Sequence, residues 1–152
     1  MAGSEMRAHR RIDLDHAEAL RLLGSVSLGR VVFTRQALPA VRPVNHVLYN
    51  GDIVILTHEG TALASHAQQT DGTSVVVAYE ADAIDPETRL GWSVVVTGYA
   101  RLVSDPLELA RVRELLQPSV PMEGGEQAVR IQPELVTGVL LTEEGDTERT
   151  TD

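Results

Sequence analysis

Residues 40–57 are AVRPVNHVLYNGDIVILT, a stretch that predicts a β-hairpin. Its two β-rich runs, 40–49 and 53–57, flank the turn signal Asn50-Gly51-Asp52. Asn-Gly is the pair that most readily adopts the left-handed conformations of a two-residue hairpin turn. Because Pro43 lacks a backbone N–H, we expect either a bulge or an open side of the first strand at that point.

Further strands are predicted on both sides of this hairpin. They are the β-rich runs at 29–36, 74–81, 92–103 and 129–142, with a turn at 37–39. Helices are predicted from the capping residue Asp15 to Gly24, at 62–69, and from the capping residue Asp105 to about Gln117. Since most strands are joined by hairpins and helices are few, the sequence predicts a mainly β fold. An antiparallel barrel with helices at its ends fits best.

The run WSVVVTGYARLV, residues 92–103, is apolar on both faces. Val94 and Val96 lie on one face of the predicted strand, and Val95 and Val103 lie on the other. Such a strand needs cover on both sides, from a closed barrel with helices or from a second subunit. We therefore expect a homodimer whose interface includes this strand.

Length and composition exclude several classes of protein. The 152 residues suit one domain, with a flexible tail predicted at 1–11, a folded part at 12–142 and a disordered acidic end at 143–152. Cysteine and lysine are both absent, which excludes disulfides, thiolate metal sites and lysine-based catalysis. The net charge of −9 and the aromatic content of 3% disfavour nucleic-acid binding.

The sequence also indicates where the protein works. No stretch approaches the roughly 18 apolar residues of a membrane span. The opening residues MAGSEMRAHRR lack the apolar core of a secretory signal. We therefore expect a cytoplasmic protein that does not enter a membrane. The use of arginine at every basic position suggests GC-rich bacterial coding.

Familiar catalytic motifs are missing. The five histidines form no HxxxH or HExxH pair, so no metal site is predicted. Neither a GxSxG elbow nor a GxxxxGK[ST] loop is present. Asp82, Asp85 and Glu87, close to Glu80, suit a solvated acidic turn better than a pair of catalytic carboxylates. With no nucleophile and no assignable catalytic residue, a cofactor would have to supply the chemistry of any reaction.

One segment suits an anion. The predicted strand ends at Thr57, and His58-Glu59-Gly60-Thr61 leads into the predicted helix at 62–69. The first N–H groups of a helix have no intrahelical partner, and together with the helix dipole they favour a phosphate. The alternative is that Thr61 simply caps the helix, and the local pattern by itself favours the cap.

Several stretches, in order and spacing, resemble the pyridoxamine 5′-phosphate oxidase-like flavin-binding split-barrel family. They are GRVVFT, LPAVRPVNHVLYNGDIVILTHEGTAL, GWSVVVTGYARL and VRIQPELVTG. The resemblance covers residues 12–142, and its most specific pieces are PVN at 43–45, the strand–turn–helix at 53–63 and GWSVVV at 91–96.

The resemblance implies a six-stranded antiparallel split β-barrel, a homodimer, and FMN bound between the subunits. Pro43, Val44 and Asn45 would then lie along the isoalloxazine ring. The segment that contains Thr57, His58, Gly60 and Thr61 would meet the phosphate. Trp92 would lie near the dimer interface and the partner's cofactor, although a buried strand tryptophan with no ligand role fits equally well.

The sequence departs from the family pattern at two positions. The family usually has a basic residue beside the threonine of the third strand and another just after Gly-Thr, where this chain has Leu56 and Ala62. Each missing charge-assisted contact is worth roughly 1.5–3 kcal/mol. We therefore expect FMN to be bound weakly. Arg42, Arg35 or an arginine of the second subunit could replace the missing cations.

Three functions follow from the resemblance. The first is an FMN-dependent oxidoreductase that passes electrons from a nicotinamide donor to a small molecule. The second is a reductase that uses a deazaflavin in the same groove, which a basic lane beyond the phosphate site would favour. The third is a flavin- or ligand-binding protein without turnover, which the missing cations would favour.

Overall fold

The computed structural model describes residues 9–58, 63, 75–116 and 126–143. The strands in these ranges are β1 (His9–Asp13), β2 (Leu28–Arg35), β3 (Leu38–Tyr49), β4 (Asp52–Thr57), β5 (Val75–Ile84), β6 (Gly91–Leu102) and β7 (Gln127–Glu143). The helices are α1 (His16–Gly24) and α2 (Pro106–Leu116). The helix predicted at 62–69 lies outside the described residues, except for Leu63, which is helical and buried.

Six strands close into an antiparallel ring. Their order is β7-β4-β3-β2-β5-β6, and β6 pairs back to β7. This is a split β-barrel with flanking helices, as predicted. β1 is a seventh strand, added to β7 with His9 opposite Glu143. Its sequence, HRRID, has no apolar alternation, so only the main-chain ladder makes it a strand, and the pattern could not predict it.

The barrel splits along β7, which is 17 residues long. Its residues 127–131 pair with β4, whereas residues 139–143 pair with β1 on the same edge. All of β6 pairs with the other edge of β7, opposite residues 129–141, with a register shift between Thr97 and Gly98. A Cβ at Gly98 would lie 2.2 Å from the carbonyl oxygen of Gln132, so only glycine fits at this irregular point.

Both predicted hairpin turns exist, but one is shifted. Asn50 and Gly51 have φ values of 51° and 84°, which confirms the two-residue turn between β3 and β4. The turn predicted at 37–39 lies instead at Gln36 and Ala37, with φ values of 52° and 65°. Neither residue favours this conformation, so the β2–β3 ladder imposes it and the local sequence does not signal it.

Pro43 marks an open side of β3, and no bulge is present there. It lies opposite Arg30 in an unbroken β2–β3 register. On the other edge, the pairing of β3 with β4 extends only from Tyr49 to His46. Among the described strands, residues 38–45 therefore pair with β2 alone, so the missing N–H of Pro43 interrupts no β3–β4 ladder.

Two apolar clusters hold the fold together. The larger fills the barrel and comprises Ala19, Leu23, Val31, Phe33, Ile53, Ile55, Leu63, Val77, Tyr79, Ala81, Trp92, Val94, Val96, Ala100, Val129 and Ile131. The smaller lies under α2 and comprises Val54, Val103, Val112 and Ala128. β4 contributes to both clusters, since alternate residues of a strand point to opposite faces.

Two assignments made from the sequence change at element boundaries. Residues 9–11 of the tail predicted at 1–11 belong to β1, which pairs with β7. Asp82, predicted to lie in an acidic turn, belongs to β5 and pairs with Ser93 of β6. Polar residues on the outer face of a strand resemble a loop in sequence, which explains this error.

Candidate functional site

The two segments predicted to bind the flavin lie at one opening between β3 and β4. The last pair of that ladder is His46 and Ile55. Two residues beyond it are Val44 on β3 and Thr57 on β4. The predicted ring contacts at 43–45 therefore lie across the opening from the end of β4.

The residues at 43–45 face both sides of the sheet. Val44 packs against the core, whereas Pro43 and Asn45 are exposed on the outer face. Across the described residues, the Asn45 side chain has no hydrogen-bond partner, and it lies opposite Leu28 in a regular ladder. Asn45 therefore does not satisfy a bulge of its own, and its amide group is available to a ligand.

The segment predicted to meet the phosphate is described only in part. Thr57 is 8% exposed at the end of β4. His58 is exposed, with its Nε2 3.9 Å from Oε1 of Glu126. Gly60 and Thr61 lie outside the described residues.

Packing under α2 explains the apolar residue at position 56. The Leu56 side chain packs against the cluster that contains Val54 and Val112, on the opposite face of β4 from Ile55 and Thr57. A cation at this position would have to leave the apolar cluster. Leu56 therefore stabilises the attachment of α2, at a position where the family resemblance implied a basic residue.

The arginines predicted as substitutes differ in position. Arg35 lies opposite Leu38, six residues from Val44 along β3, which corresponds to roughly 20 Å at 3.3 Å per residue. Arg42 is half-buried two residues before Val44, and its Nη1 donates to the carbonyl oxygen of Val41 at 2.9 Å. Within the described chain, Arg42 therefore remains a candidate and Arg35 does not.

Trp92 is a core residue of β6. It is 9% exposed, belongs to the barrel cluster and lies opposite Leu140 of β7 and Ala83 of β5. This position explains a strand tryptophan without any ligand.

A groove of about 940 Å³ lies beside the opening. Its lining comes from the end of α1, the α1–β2 connection, the start of β2, β3 just after Asn45, and single residues of β5 and α2: Arg21, Gly24, Ser25, Val26, Ser27, Leu28, Arg30, His46, Val47, Leu48, Asp82 and Leu115. Its volume falls in the range of small-molecule sites. The sequence could not predict it, because the α1–β2 connection carries no ligand motif.

One side of the groove has a charged cluster. Nη1 of Arg30 lies 3.2 Å from Oε1 of Glu80 and 3.7 Å from Oδ2 of Asp82. Burial, a hydrogen bond to Asp82 and the negative charge of Asp82 raise the pKa of Glu80 to about 7, against the opposing effect of Arg30. Arg30 lies between Pro43 and Glu80 in register, so it is a basic neighbour of the predicted ring site that no local sequence pattern reveals.

Beneath the same strand lies a buried polar pair, His46 and Tyr79. His46 is 2% exposed, with its Nε2 2.8 Å from the carbonyl oxygen of Leu23 and its Nδ1 2.5 Å from the Tyr79 hydroxyl. The Tyr79 hydroxyl also lies 3.3 Å from the carbonyl oxygen of Val44. A Cβ at Gly29 would lie 2.4 Å from that hydroxyl, so glycine makes room for the pair. His46 lies on the same face of β3 as Val44 and Leu48. A histidine on this otherwise apolar face was the sequence signal that could have revealed the buried pair.

Metal-ligand clusters and helical membrane spans are both absent from residues 9–58, 63, 75–116 and 126–143. No group of three His, Asp or Glu residues there could hold a metal ion. No helix there is long and apolar enough to cross a membrane.

Comparisons with known proteins agree with this geometry. The profile of the family described as pyridoxamine 5′-phosphate oxidase matches residues 15–139. Uncharacterized protein Rv0080 of Mycobacterium tuberculosis is 47% identical over 144 residues, which cover 95% of this chain and 94% of that protein.

Two solved structures are similar over most of the chain. One, from Corynebacterium glutamicum and provisionally assigned as a pyridoxamine 5′-phosphate oxidase, is 35% identical with a TM-score of 0.70, covering 88% of this chain and 99% of that one. The other is the FAD binding protein from Mycobacterium smegmatis, 30% identical with a TM-score of 0.59, covering 86% of this chain and 97% of that one.

Proposed function

Because the chain belongs to the pyridoxamine 5′-phosphate oxidase family, we propose that it is an FMN-dependent oxidoreductase acting on a small molecule. The observation that carries this proposal is the opening between β3 and β4. It brings the half-exposed segment at 43–45 to the same place as the buried Thr57. Family membership and the flavin-binding relative from Mycobacterium smegmatis support a flavin there.

The residues at the opening fit the ring of a flavin. Pro43 offers apolar surface, and the Asn45 amide offers both donors and an acceptor to the polar edge of the ring. Arg30 lies opposite Pro43, one strand away, in an ion pair with Glu80. The predicted phosphate contacts of Thr57, His58, Gly60 and Thr61 complete the proposed site, with Arg42 as a nearby cation. When bound, FMN would supply hydride and electron transfer, while this chain would bind and orient it.

A homodimer is part of the proposal. An outer-face row runs across five strands in register, through Val41, Val32, Ala78, Thr97 and Leu135. Val41 is 50% exposed and Leu135 is 60% exposed. Side chains of this kind favour cover by a second subunit. Sedimentation equilibrium should give twice 16.5 kDa, and a monomer at micromolar concentration would contradict the dimer.

FMN titration of the purified protein tests the proposed cofactor. The wild-type protein should bind FMN saturably, and the Asn45→Ala variant should bind it roughly tenfold more weakly, about 1.4 kcal/mol. The melting temperature of the apo form should hardly change, since the Asn45 side chain is exposed. Gln132→Ala, another exposed polar residue on a strand, is the matched control and should leave affinity unchanged. Absence of saturable FMN binding would refute the proposal.

A flavin-binding protein without turnover is the second candidate. The observation that favours it is Leu56, which packs under α2 and leaves the phosphate one cation short. Reduction of bound FMN by NADH or NADPH distinguishes the two candidates, because only the oxidoreductase should turn over with an electron acceptor. The deazaflavin alternative gains no support from the groove, where Arg21 pairs with Glu18 and Arg30 with Glu80, so no basic lane results.

A further inference from the structure

The hydrogen bonds of His46 fix where its protons lie. The carbonyl oxygen of Leu23 can only accept, so Nε2 of His46 carries a hydrogen and donates to it. In the neutral ring, Nδ1 is then an acceptor, and the Tyr79 hydroxyl donates to it. Burial of His46 lowers its pKa, against the opposing effect of the Leu23 hydrogen bond, so the neutral ring prevails at pH 7.

The Tyr79 hydroxyl has two acceptors within reach and only one proton. Nδ1 of His46 lies 2.5 Å away, and the carbonyl oxygen of Val44 lies 3.3 Å away. Burial and the charge of Glu80 raise the pKa of Tyr79, so the phenol keeps its proton throughout the neutral range. The shorter distance shows that His46 receives that proton while its ring is neutral.

Protonation of His46 would reverse this arrangement. Nδ1 would then carry a hydrogen and donate to the Tyr79 oxygen. The Tyr79 proton would have to turn away, and in the described part of the chain the carbonyl oxygen of Val44, at 3.3 Å, is within reach to accept it. Uptake of a proton at His46 would therefore create a hydrogen bond to the main chain of the segment at 43–45.

We propose that His46 and Tyr79 form a positioning pair that couples the protonation of His46 to the main chain of Val44, and through it to the flavin site. The inference rests on the proposed function for its effect on flavin, but not for the coupling itself. Neither residue touches the outer face where the ring would lie, so both act through the strand. Flavin affinity should fall as His46 takes up a proton, because the Val44 peptide is then drawn toward Tyr79.

Other charged groups near the pair must be separated from it. Arg21 from α1, Arg30 from β2 and Asp82 from β5 line the same groove as His46. Glu80 follows Tyr79 on β5 and has a pKa of about 7, which makes it the main competing source of pH dependence. The Glu80→Gln variant removes that titration and leaves His46 and Tyr79 in place.

The first experiment needs no flavin. In the full-length apo protein, NMR follows the His46 ring and the Val44 carbonyl carbon from pH 8 to pH 5, an interval of about 1.5 units on either side of the ordinary histidine pKa of about 6.5. Both signals should move with one midpoint, below 6.5, in the wild type and in Glu80→Gln. In Tyr79→Phe the ring should still titrate while the Val44 carbon stays still. A Val44 carbon that does not titrate in the wild type, or that titrates equally in Tyr79→Phe, would overturn the coupling.

The second experiment is FMN titration of the same proteins across that pH range. Affinity should fall by roughly two- to tenfold through the His46 midpoint, the range one hydrogen bond is worth. Tyr79→Phe should remove this dependence, whereas Glu80→Gln and Tyr49→Phe should keep it. Tyr49→Phe controls for loss of a hydroxyl on the same strand as His46. The same pH profile in Tyr79→Phe and wild type would overturn the inference and leave the proposed function standing. No FMN binding by any protein would refute the proposed function, and the NMR experiment would still decide the coupling.

Discussion

The two halves of β3 differ although they belong to one strand. Within the part of the chain that the structure describes, residues 38–45 pair with β2 alone, and none of them is buried. Residues 46–49 pair with β4 and begin at the buried His46. Their outer face packs under α2 through Val47 and Tyr49. We call residues 38–45 the open half of β3 and residues 46–49 the covered half. Both halves have the same extended backbone conformation, but only the covered half is enclosed on both faces.

This difference separates two roles. The covered half links the barrel core to α2, so its side chains contribute to stability. In the described part of the chain, no second strand pairs with the open half along the edge away from β2. Its exposed side chains, such as Asn45, can accept a ligand at little cost in folding energy. Substitutions in the two halves should therefore act on different properties.

The largest effect is expected from Ile55→Ala, in the strand paired with the covered half. Ile55 is fully buried, so truncation should lower the free energy of unfolding by about 2–5 kcal/mol. Leu38→Ala, in the open half and 69% exposed, should change it by less than about 0.5 kcal/mol. Urea denaturation measures both. A similar loss in the two variants would contradict the division of β3.

The next effect concerns the attachment of α2. Arg130 of β7 donates through Nε to Asp52 at 2.6 Å and through Nη1 to Glu108 of α2, and its guanidinium lies 5.3 Å from the centre of the Tyr49 ring. Arg130→Met leaves two part-buried carboxylates without this partner and should cost about 1.5–3 kcal/mol. Denaturation measures the loss. FMN affinity should stay unchanged, and a parallel loss of FMN binding would show that the covered half also carries the site.

Much of the fold follows from local pattern. Asn50-Gly51 predicts its turn because few other pairs take those φ values, and the alternation in β6 predicts a strand with a buried face. β1 and the turn at Gln36 and Ala37 escape prediction because distant ladders impose them. The same limit applies to the candidate site. The motif at 43–45 is visible in sequence, whereas Arg30, Tyr79 and the groove are brought to it only by strand register.

Lysine substitutions at positions 62 and 56, where the resemblance implied basic residues, test the segment predicted to meet the phosphate. Ala62→Lys should tighten FMN binding by roughly tenfold, because the sequence predicts this position at the first turn of a helix that meets the phosphate. Leu56→Lys should give no such gain and should destabilise the fold, since Leu56 packs under α2. Fluorescence titration with FMN and with riboflavin, which has no phosphate, measures the effect. Equal gains for both ligands would place the phosphate elsewhere.

A smaller effect is expected from Glu80. Its pKa of about 7 in the folded protein exceeds the ordinary 4.5, so the folded state binds more protons between these values. The free energy of unfolding should therefore fall as the pH rises from about 4.5 to about 7. Glu80→Gln should flatten this slope. The difference in free energy of unfolding between the variant and the wild type should therefore shift in favour of the variant between pH 4.5 and pH 8. Thermal melts across pH test it, and an unchanged slope in the variant would assign the pH dependence to other groups.

The NMR response of the β3 backbone amides to FMN shows which half of this strand binds the ring. If the ring lies along the open half, the largest shifts should occur at Val44 and Asn45, with smaller ones at Val47 and Tyr49. The largest shifts at 47–49, or shifts confined to strands other than β3 and β4, would contradict the claim that the open half of β3 binds the flavin.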